Sequence, residues 1–532
     1  MGTAKTDVAK RVRRALTRMA SRQALGSEVS DQTTPDELAR AARSYLGSAQ
    51  IVIASNREPY MHVKAPSGIE VVRSPGGLAS ALDSVARATG ATWIAQGAAD
   101  ADRLVVDEEG KVRVPPGNER YTLKRLWIEP EARELEYRRF CNGCLWPLCH
   151  IVYVRPHFVA AQWRAYQEVN EQFAEAILAA IGSKPGLVLL QDYHLGLCAS
   201  VLRARRPDLS IIMFWHIPWP NREVFRTFPW RRELLEGLLA CDLVGFHIQY
   251  HANNFLDTVA QELEAQIDHE RFAIRRRGRK TFVRTYPISP DAAEISLAAS
   301  EPWAARAADQ IREQLGLGGV KIVLGVDRLD YTKGIPERMV AYKHLLETRP
   351  ELRGQVSFIQ IGVPSRVDLP EYQSLAATVE ELAVRLNQRF GTAERPAIHL
   401  ITRNLGFRDL IPYYVLADVA VVSALHDGMN LVAKEYVAAK VHLDGALVLS
   451  PFTGAARELD QAIQASPYDT EALAAAIGRA LTMDPAERAR RMRSMREVVA
   501  GQNIYDWARK ILRDARRLHL VQGAPRPGAS SR

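Results

Sequence analysis

A pair of cations follows one short apolar run and precedes an expected helix. In the stretch GVDRLDYTKGIPER, Arg328 and Lys333 come after a strand-like segment, and Pro336 is placed to begin a helix. The N-terminal end of a helix carries partial positive charge and unpaired N–H groups, which favour bound anions. Two cations beside such an end suit a diphosphate, so this stretch predicts an anion site.

A glycine-containing turn offers a second candidate site. The stretch HDGMNLVAKE lies between an apolar run and a helix-forming segment and supplies Asp427, Gly428, Met429, Asn430, Leu431 and Glu435. Gly428 permits a tight turn, after which the N–H groups of the next three residues can point at a ligand. Glu435 lies further along the helix, where its carboxylate could accept hydrogen bonds from sugar hydroxyls. In isolation, Glu435 would be interpreted as a solvated helix residue.

Loops in the first half of the chain also follow strand-like runs. They contribute Arg57 in SNRE, Gly76 and Gly77 in SPGGLAS, Asp192 in QDYHL and His216 in FWHIPWP. In doubly wound sheets, ligands bind at the carboxyl ends of strands, so these loops are candidate positions. A histidine in an apolar strand, however, more often makes a structural hydrogen bond than a catalytic contact.

Residues 141–150, CNGCLWPLCH, hold three of the five cysteines and end in a histidine. A structural zinc site usually draws on two separated pairs of ligands, and no second CxxC pair exists in the sequence. A CxxCH haem motif fails because Leu145 follows Cys144. We therefore expect no metal here, and we expect Cys141, Cys144 and Cys149 to be small packing residues.

The elements that must position these residues alternate along the chain. Strand-like runs occur first at IVIASN, LVLLQD and IIMFWH, and a second series comprises VKIVLGVD, QVSFIQIG, AIHLIT, VAVVSA and ALVLSP. Strands that alternate with helices predict βαβ units and parallel sheets. A break near YPISPD, residues 286–291, separates the two series. The predicted fold is α/β, with two Rossmann-like doubly wound domains facing a cleft.

We expect four regions along the 532 residues. They are a polar extension (1–45), a first Rossmann-like domain (46–288), a second (289–500), and a C-terminal helix with a disordered tail (501–532). The C-terminal helix keeps an apolar stripe, which predicts that it packs back onto another part of the chain. The stripe consists of Ile504, Trp507, Ile511 and Leu512.

The composition limits location and partners. Residues are 47% hydrophobic and 25% charged, and the formal net charge is +9. The excess cations lie mostly in terminal stretches without interleaved aromatics, so no nucleic-acid partner is expected. No apolar run approaches the roughly 18 residues of a membrane span, and no secretory core begins the chain. Five cysteines are too few for a disulfide framework, so we expect a cytoplasmic protein.

Several common enzyme classes lack their motifs. No strand-like run is followed by GxGxxG, and neither GxxxxGK[ST], GxSxG nor HExxH occurs. A dinucleotide-dependent dehydrogenase, a P-loop ATPase, a serine hydrolase and a zinc protease are therefore not favoured.

Taken in order, these stretches resemble the trehalose-6-phosphate synthases, a family of retaining glycosyltransferases. The matching runs extend from about residue 51 to about residue 475: SNRE, SPGGLASAL, Tyr137 with LWP, QDYHL, HIPWP, DLVGF, YPIS, VDRLDYTKGIPER, LHDGMNLVAKEYVAAK, LVLSPFTGAARE and SPYDTEAL. The resemblance implies the GT-B fold. It also implies transfer of glucose from a nucleotide-glucose donor to glucose 6-phosphate, giving α,α-trehalose 6-phosphate.

The resemblance implies residue roles as well. Catalytic residues would be Arg328, Lys333, His216 and Asp192. The donor would be held by Gly76, Gly77, Asp427, Gly428, Met429, Asn430, Leu431 and Glu435. The sugar-phosphate acceptor would be held by Arg57, Tyr137, Trp146, Asp192 and Arg366, with the arginines gripping its phosphate.

The implied mechanism retains configuration without a covalent enzyme intermediate. The acceptor hydroxyl would attack from the face that the diphosphate leaves, and a phosphate oxygen would accept its proton. The family requires neither a metal nor a cofactor besides the co-substrate, because protein cations and helix ends neutralise the leaving group.

One position departs from the family pattern on the acceptor side. Where the family typically carries Trp-x-Gly-Trp, this chain has TWIAQGAADAD, which keeps Trp93 but places Gln96 at the second position. A glucosylglycerol-phosphate synthase that uses glycerol 3-phosphate is therefore an alternative, although the SPGG run favours glucose 6-phosphate. The nucleotide of the donor, UDP, GDP or ADP, stays open, because the segment RNLGFRD near the expected base site does not indicate which base it binds.

Two other functions would require different residues in this site. A catalytically silent sugar-phosphate sensor should have lost Arg328, Lys333, Asp427 or Glu435, and none is lost. A pseudo-glycosidic synthase, which joins cyclitols through nitrogen, would also differ on the acceptor side. No phosphatase-like stretch follows residue 500, so we expect a separate phosphatase in the pathway. The oligomeric state, including a homo-oligomer, stays open.

Overall fold

The structure is a computed structural model that describes residues 32–74, 76–392, 395–518 and 520. The predictions for the basic N-terminal stretch and for the disordered tail concern residues outside these ranges. Among the described residues, no helix combines the length and the apolar character that a membrane crossing requires.

The first half of the chain is built around a ten-stranded sheet with the order β10-β11-β12-β9-β8-β7-β1-β4-β6-β5. The strands from β12 to β6 in this order run parallel, whereas β5 and β11 run antiparallel to their neighbours. In chain order the elements are α1 (Pro35–Leu46), β1 (Gln50–Arg57), β2 (Tyr60–Ala65), β3 (Gly68–Arg73), α2 (Gly77–Thr89), β4 (Thr92–Gln96), β5 (Lys111–Val114), β6 (Tyr121–Leu126), α3 (Pro130–Arg133), a π-helical segment (Glu134–Leu145), α4 (Trp146–His150), α5 (Ala160–Ile181), β7 (Gly186–Gln191), α6 (Cys198–Arg205), β8 (Ser210–Phe214), α7 (Arg222–Phe225), α8 (Arg231–Leu239), β9 (Leu243–Phe246), α9 (Gln249–Glu262), β10 (Gln266–Asp268), β11 (Ala273–Arg276) and β12 (Arg279–Thr285).

The second half is built around a six-stranded parallel sheet with the order β15-β14-β13-β16-β17-β18. Its elements are α10 (Ala292–Ser300), α11 (Pro302–Gln314), β13 (Lys321–Arg328), α12 (Ile335–Thr348), β14 (Val356–Val363), α13 (Pro370–Phe390), β15 (Ile398–Ile401), α14 (Phe407–Leu416), β16 (Val419–Val422), α15 (Leu431–Ala439), β17 (Ala446–Leu449), β18 (Ile463–Gln464), α16 (Thr470–Thr482), α17 (Pro485–Gly501) and α18 (Ile504–Arg517).

In each sheet the strand order reverses at one point. The chain runs from β1 outward through β4 to β6 and then returns to β7 on the other side of β1. In the second sheet, it runs from β13 through β14 to β15 and returns to β16. Such switch points open a crevice at the carboxyl ends of the strands, where ligands bind. Arg57 ends β1, Asp192 follows β7 and Arg328 ends β13, so predicted site residues lie at both crevices.

The predicted alternation of strands and helices is confirmed. Each of the eight apolar runs forms a strand, namely β1, β7, β8 and β13 to β17. The sequence interpretation did not identify β4 or β9, which are only five and four residues long. Gly245 interrupts the apolar run of β9, and the apolar run of β4 is only the three residues 93–95, so neither stands out in the sequence.

The last helix packs back onto the first half of the chain. The predicted stripe on α18 is buried, and Trp507 is only 2% exposed. Asn503 caps this helix, and its side-chain amide donates to the Thr33 carbonyl at 3.1 Å. The partner α1 was predicted as a polar extension, yet it buries residues spaced four apart: Leu38, Ala42 and Leu46.

Residues 286–291 carry the chain from β12 to α10 and so from the first unit to the second. Lys434 on α15 holds this link, because its ammonium donates to the Ile288 carbonyl at 2.8 Å and to Ser289 Oγ at 2.9 Å. The domain boundary predicted at residue 288 falls within this link.

Candidate active site

The carboxyl ends of the two sheets face each other, so predicted residues from both halves meet. A Cβ placed on Gly428 would lie 2.0 Å from the carbonyl oxygen of His216, which requires glycine at this contact. On another side of the site, the Arg366 guanidinium lies 4.2 Å from the ring centre of Trp146. The site is therefore a cleft between the sheets.

The loop after β13 holds its cations in a fixed geometry. Gly334 begins α12 with φ of +61°, and a Cβ there would lie 2.1 Å from the carbonyl oxygen of Ser423. This close approach brings the loop against the strand end of β16. The predicted helix start is confirmed within one residue, since α12 begins at Ile335.

Lys333 pairs with Asp427 across the two loops of the second sheet. The Lys333 ammonium lies 2.5 Å from Asp427 Oδ2, and the Asn430 side-chain amide donates to the same oxygen at 3.2 Å. Burial alone would raise the pKa of Asp427, but the charge and hydrogen bond of Lys333 lower it. Asn430, at φ of +75°, also caps α15 by accepting from the Ala433 N–H at 3.1 Å.

Asp330 contacts both Arg328, which is expected to bind the donor, and Arg366, which is expected to bind the acceptor. Its Oδ2 lies 3.2 Å from Arg366 Nη1 and 3.6 Å from Arg328 Nη2, and it is fully buried. Burial would raise the pKa of Asp330, but the charges of Arg366, Arg328 and Lys333 lower it to about 2. The carboxylate therefore stays ionised and holds these cations beside one another.

Gly77 brings the first domain against α15. A Cβ on Gly77 would lie 2.8 Å from Leu431 Cδ1 and 3.2 Å from Glu435 Oε1. Gly76, at φ of +122°, makes the turn into α2. The Glu435 carboxylate accepts from the Tyr414 hydroxyl at 2.8 Å, and burial raises the pKa of Glu435.

The predicted acceptor residues form a cationic pocket with an aromatic wall. Arg57 Nη2 donates to the Tyr137 hydroxyl at 2.8 Å, and Trp146 is 6% exposed beneath Arg366. Arg328 also lies over this indole, 5.5 Å from its ring centre. Although burial opposes it, the charges of Arg57, Arg366 and Arg328 lower the pKa of Tyr137.

Asp192 and His216 lie side by side at the ends of neighbouring strands. Asp192 has φ of +74°, and its Oδ1 accepts from the His216 N–H at 3.0 Å. Burial raises the pKa of Asp192 to about 7, despite hydrogen bonds from backbone N–H groups. His216 Nε2 lies 2.8 Å from Gln191 Oε1, and burial keeps the pKa of this imidazole well below its usual value. His216 is therefore neutral at physiological pH.

The cysteines of CNGCLWPLCH lie behind the aromatic wall. Cys141, Cys144 and Cys149 are fully buried in the hydrophobic core that also contains Trp146. Cys141 Sγ donates to Glu136 Oε1 at 3.1 Å. Burial raises the pKa of all three thiols, which makes them unreactive packing groups.

Gln96 ends β4 and is in register with Arg57 at the end of β1. It is 4% exposed, so it lies beneath the acceptor pocket rather than on its surface. The chain therefore has a buried amide at the position where the family's second tryptophan was expected.

Residue patterns missed several contributors to the site. Asp330 lies between Arg328 and Lys333 in the sequence RLDYTKG. An acid between two cations could have indicated that the three side chains interact. Tyr372, which contacts Arg366 six residues before it, and Tyr414, which contacts Glu435 21 residues after it, lie within helices and not in the loops that follow strands. No local pattern could identify these tyrosines.

The arrangement unites two chemical functions. Arg57, Arg328 and Arg366 gather around Tyr137 and Trp146, and three guanidiniums in one pocket suit a phosphate group. Beside them, Lys333 and Asp427 combine a cation with a carboxylate, which suits a sugar next to a phosphate.

A family model described as glycosyltransferase family 20 matches residues 49–517. The chain belongs to this family. Trehalose-6-phosphate synthases of Mycolicibacterium vanbaalenii and Mycobacterium leprae are each 40% identical to it, over 88% of this chain and 96% and 95% of theirs. The family resemblance seen in the sequence is thus confirmed.

Solved structures of relatives share the fold. A UDP-forming α,α-trehalose-phosphate synthase from Burkholderia xenovorans, in complex with glucose 6-phosphate, is 32% identical with a TM-score of 0.79, covering 88% of this chain and 99% of its own. An E. coli structure bound with UDP-2-fluoro glucose is 31% identical with a TM-score of 0.78, at the same coverage. The predicted GT-B arrangement of two Rossmann-like domains is therefore confirmed.

Proposed function

We propose that this protein transfers glucose, with retention of configuration, from UDP-glucose to glucose 6-phosphate, forming α,α-trehalose 6-phosphate and UDP. One observation carries the proposal: the three-arginine pocket adjoins the Lys333–Asp427 pair. Relatives solved with UDP-2-fluoro glucose and with glucose 6-phosphate support both substrates. They favour UDP over GDP and ADP as the nucleotide of the donor.

For the donor, we assign the diphosphate to Arg328 and Lys333. Gly76 and Gly77 let the α2 turn approach the phosphates closely, because no side chain intervenes there. The sugar hydroxyls would contact Asp427 and the N–H groups at the start of α15, which belong to the segment 428–431. Glu435, fixed by the Tyr414 hydroxyl, is assigned to the ribose hydroxyls.

For the acceptor, we assign the phosphate to Arg57 and Arg366, whose planar guanidiniums can each give two hydrogen bonds to it. Tyr137 and Trp146 form the wall beside the phosphate. Asp192 is assigned to the sugar hydroxyls, because its carboxylate can accept hydrogen bonds from them.

The proposed reaction proceeds on one face of the donor sugar. The acceptor hydroxyl attacks the anomeric carbon from the side on which UDP leaves, and a phosphate oxygen of UDP takes its proton. Negative charge develops on the departing diphosphate, where preorganised Arg328 and Lys333 stabilise it most. His216 is neutral, so it can hydrogen-bond the donor sugar without adding positive charge.

The test is a matrix of substrates. Purified protein is incubated with UDP-, GDP- or ADP-glucose and with glucose 6-phosphate or glycerol 3-phosphate, and release of nucleoside diphosphate is measured. We expect the fastest release with UDP-glucose and glucose 6-phosphate. Faster release with glycerol 3-phosphate would replace the acceptor, and no release with any pair would refute the function.

We further propose a cytoplasmic enzyme that works with a separate phosphatase. The product keeps the acceptor's phosphate, so free disaccharide requires a phosphomonoester hydrolase. Assembly into a homo-oligomer is compatible with this proposal and can be measured by light scattering.

A further inference from the structure

A basic cavity of about 330 Å³ lies away from the cleft, between α6, α8 and the β11–β12 hairpin. Its lining includes four arginines: Arg203, Arg276, Arg277 and Arg279. Arg279 begins β12, and the parallel strands run from this end of the sheet towards the cleft. The cavity is thus at the opposite end of the sheet from the active site.

The hairpin turn places like charges directly opposite each other. Arg277 and Gly278 form a two-residue turn, with φ of +48° and +76°, and Arg276 pairs across the strands with Arg279. Like charges directly opposite on neighbouring strands destabilise a sheet. The segment 275–280 reads RRRGRK, so this repulsion is not relieved within the hairpin itself.

Nearby acids compensate only part of this charge. Glu236 accepts from Arg276 Nη2 at 2.8 Å, and Asp242 accepts from Arg203 Nη2 at 2.8 Å. Four guanidiniums therefore share two carboxylates. Burial lowers the pKa of Arg279, and the charge of Arg203 lowers it further, in spite of the opposing charge of Asp242.

Two of these arginines each have a buried N–H group that makes no hydrogen bond within the described part of the chain. Within the described part of the chain, neither Arg276 Nε nor Arg279 Nε has a hydrogen-bond partner, although both atoms are buried. Leaving a buried donor unpaired is costly, more so on a charged group. An anion in the cavity would offset the positive charges that face each other across the hairpin.

We propose that this cavity is a second anion site, which binds a small phosphate monoester. Guanidiniums match phosphate geometry through paired hydrogen bonds. A volume of about 330 Å³ exceeds what a bare phosphate ion needs and is within the usual size of small-molecule sites. Besides the arginines and the Glu236 carboxylate, the lining includes the hydroxyls of Ser200 and Thr281 and apolar side chains such as Leu239, which suits a polar organic group attached to the phosphate.

The test counts binding sites by equilibrium dialysis with radiolabelled inorganic phosphate. Saturating UDP is present throughout to occupy the donor diphosphate site, so the cleft should take one phosphate at the acceptor site and wild type should bind two per chain. The variant R276Q/R279Q should keep only the cleft site, and R57Q/R366Q only the cavity site. The two proposals can therefore fail separately. Two phosphates bound to R276Q/R279Q would overturn the cavity site.

Further variants separate binding from folding and from bulk charge. Arg277 has a 75% exposed side chain, so R277Q should fold normally and lose at least about tenfold in affinity at the cavity. R385Q/R479Q removes two cations from exposed ion pairs elsewhere and should bind phosphate as wild type does. Equal losses in both variants would show a bulk charge effect and refute the site. Turnover of R276Q/R279Q in phosphate-free buffer should match wild type.

The organic part of the ligand is tested in the R57Q/R366Q background. Fructose 6-phosphate should displace labelled phosphate from the cavity at a lower concentration than unlabelled inorganic phosphate. Weaker displacement by the ester would refute the assignment to a phosphate monoester.

Discussion

Asp330 shows how a single buried carboxylate can organise the site. It holds Arg328 and Arg366 together, although one was assigned to the donor and the other to the acceptor. Since its pKa is lowered to about 2, this carboxylate keeps its charge across the working pH range. In the proposed assignment, the cations for the two substrates' phosphates thus share one counter-charge.

Arg328 carries the largest predicted catalytic effect. Arg328→Ala should lower the turnover number at least about 100-fold, because the cation acts on charge that develops as UDP leaves. Steady-state kinetics with UDP-glucose and glucose 6-phosphate measure it. Arg479→Ala, which removes an exposed ion-paired arginine, should leave turnover unchanged. Near-normal turnover in Arg328→Ala would remove its assigned role.

Asp192 predicts a pH dependence of acceptor binding. With its pKa raised to about 7, Asp192 is largely protonated at pH 6 and ionised at pH 8. The ionised carboxylate is the better acceptor of hydrogen bonds from the sugar hydroxyls. Affinity for glucose 6-phosphate should therefore rise across pH 7. Asp192→Asn preserves the shape, so it should retain only the part of this rise that comes from the ligand's own phosphate, whose pKa is about 6. Calorimetric titrations that give the same pH profile for both proteins would contradict this assignment.

At the scale of elements, two closely packed loops align the halves of the site. Gly428 touches the His216 carbonyl from the opposite domain, and Gly454 touches the Gly428 carbonyl, where a Cβ would lie 2.1 Å away. These contacts leave no room for a methyl group. The loop that carries Gly428 is therefore positioned by direct backbone contact with the first domain.

Gly428→Ala tests this alignment. The added Cβ must push the domains or the loop apart, and a displacement of about 1 Å can cost about 100-fold in rate. We expect a comparable fall in kcat/KM for both substrates. Gly318→Ala adds the same methyl group where nothing lies within 4 Å, so its activity should be unchanged. A fully active Gly428→Ala protein would show that the contact is not needed.

Sequence patterns predicted elements and their order better than local geometry. The strands and the loops after them followed from apolar runs, and the resemblance supplied the site residues. The π-helical segment Glu134–Leu145, which carries Tyr137, has no such signal, because a π-helix is set by its surroundings. The basic hairpin at 275–280 was not predicted either, because it lies outside the terminal stretches that hold most of the excess cations.

For the whole molecule, the C-terminal helix binds the two halves together. α18 follows the second domain in the chain but packs on α1 and α2 of the first, and Tyr286 donates to Asp514 at 2.7 Å. The sequence predicted the helix through its apolar stripe. It could not identify α1 as the partner, because that contact spans almost the entire chain.

Trp507 tests this attachment. It is buried against Phe214, with ring centres 5.1 Å apart, so Trp507→Ala leaves a cavity and should cost about 3–5 kcal/mol of unfolding free energy. Chemical denaturation followed by circular dichroism measures the loss. Trp303→Ala, at a partly buried position, should cost less. Equal stability of Trp507→Ala and wild type would show that α18 contributes little.

Retaining transfer of glucose to glucose 6-phosphate determines the configuration of the product, which can be measured. UDP-[¹³C]glucose and glucose 6-phosphate are incubated with the protein, and the product is examined by NMR. We predict a disaccharide phosphate with both anomeric centres α, formed in equal amount with UDP. A β configuration at the transferred glucose, or release of free glucose alone, would contradict the account.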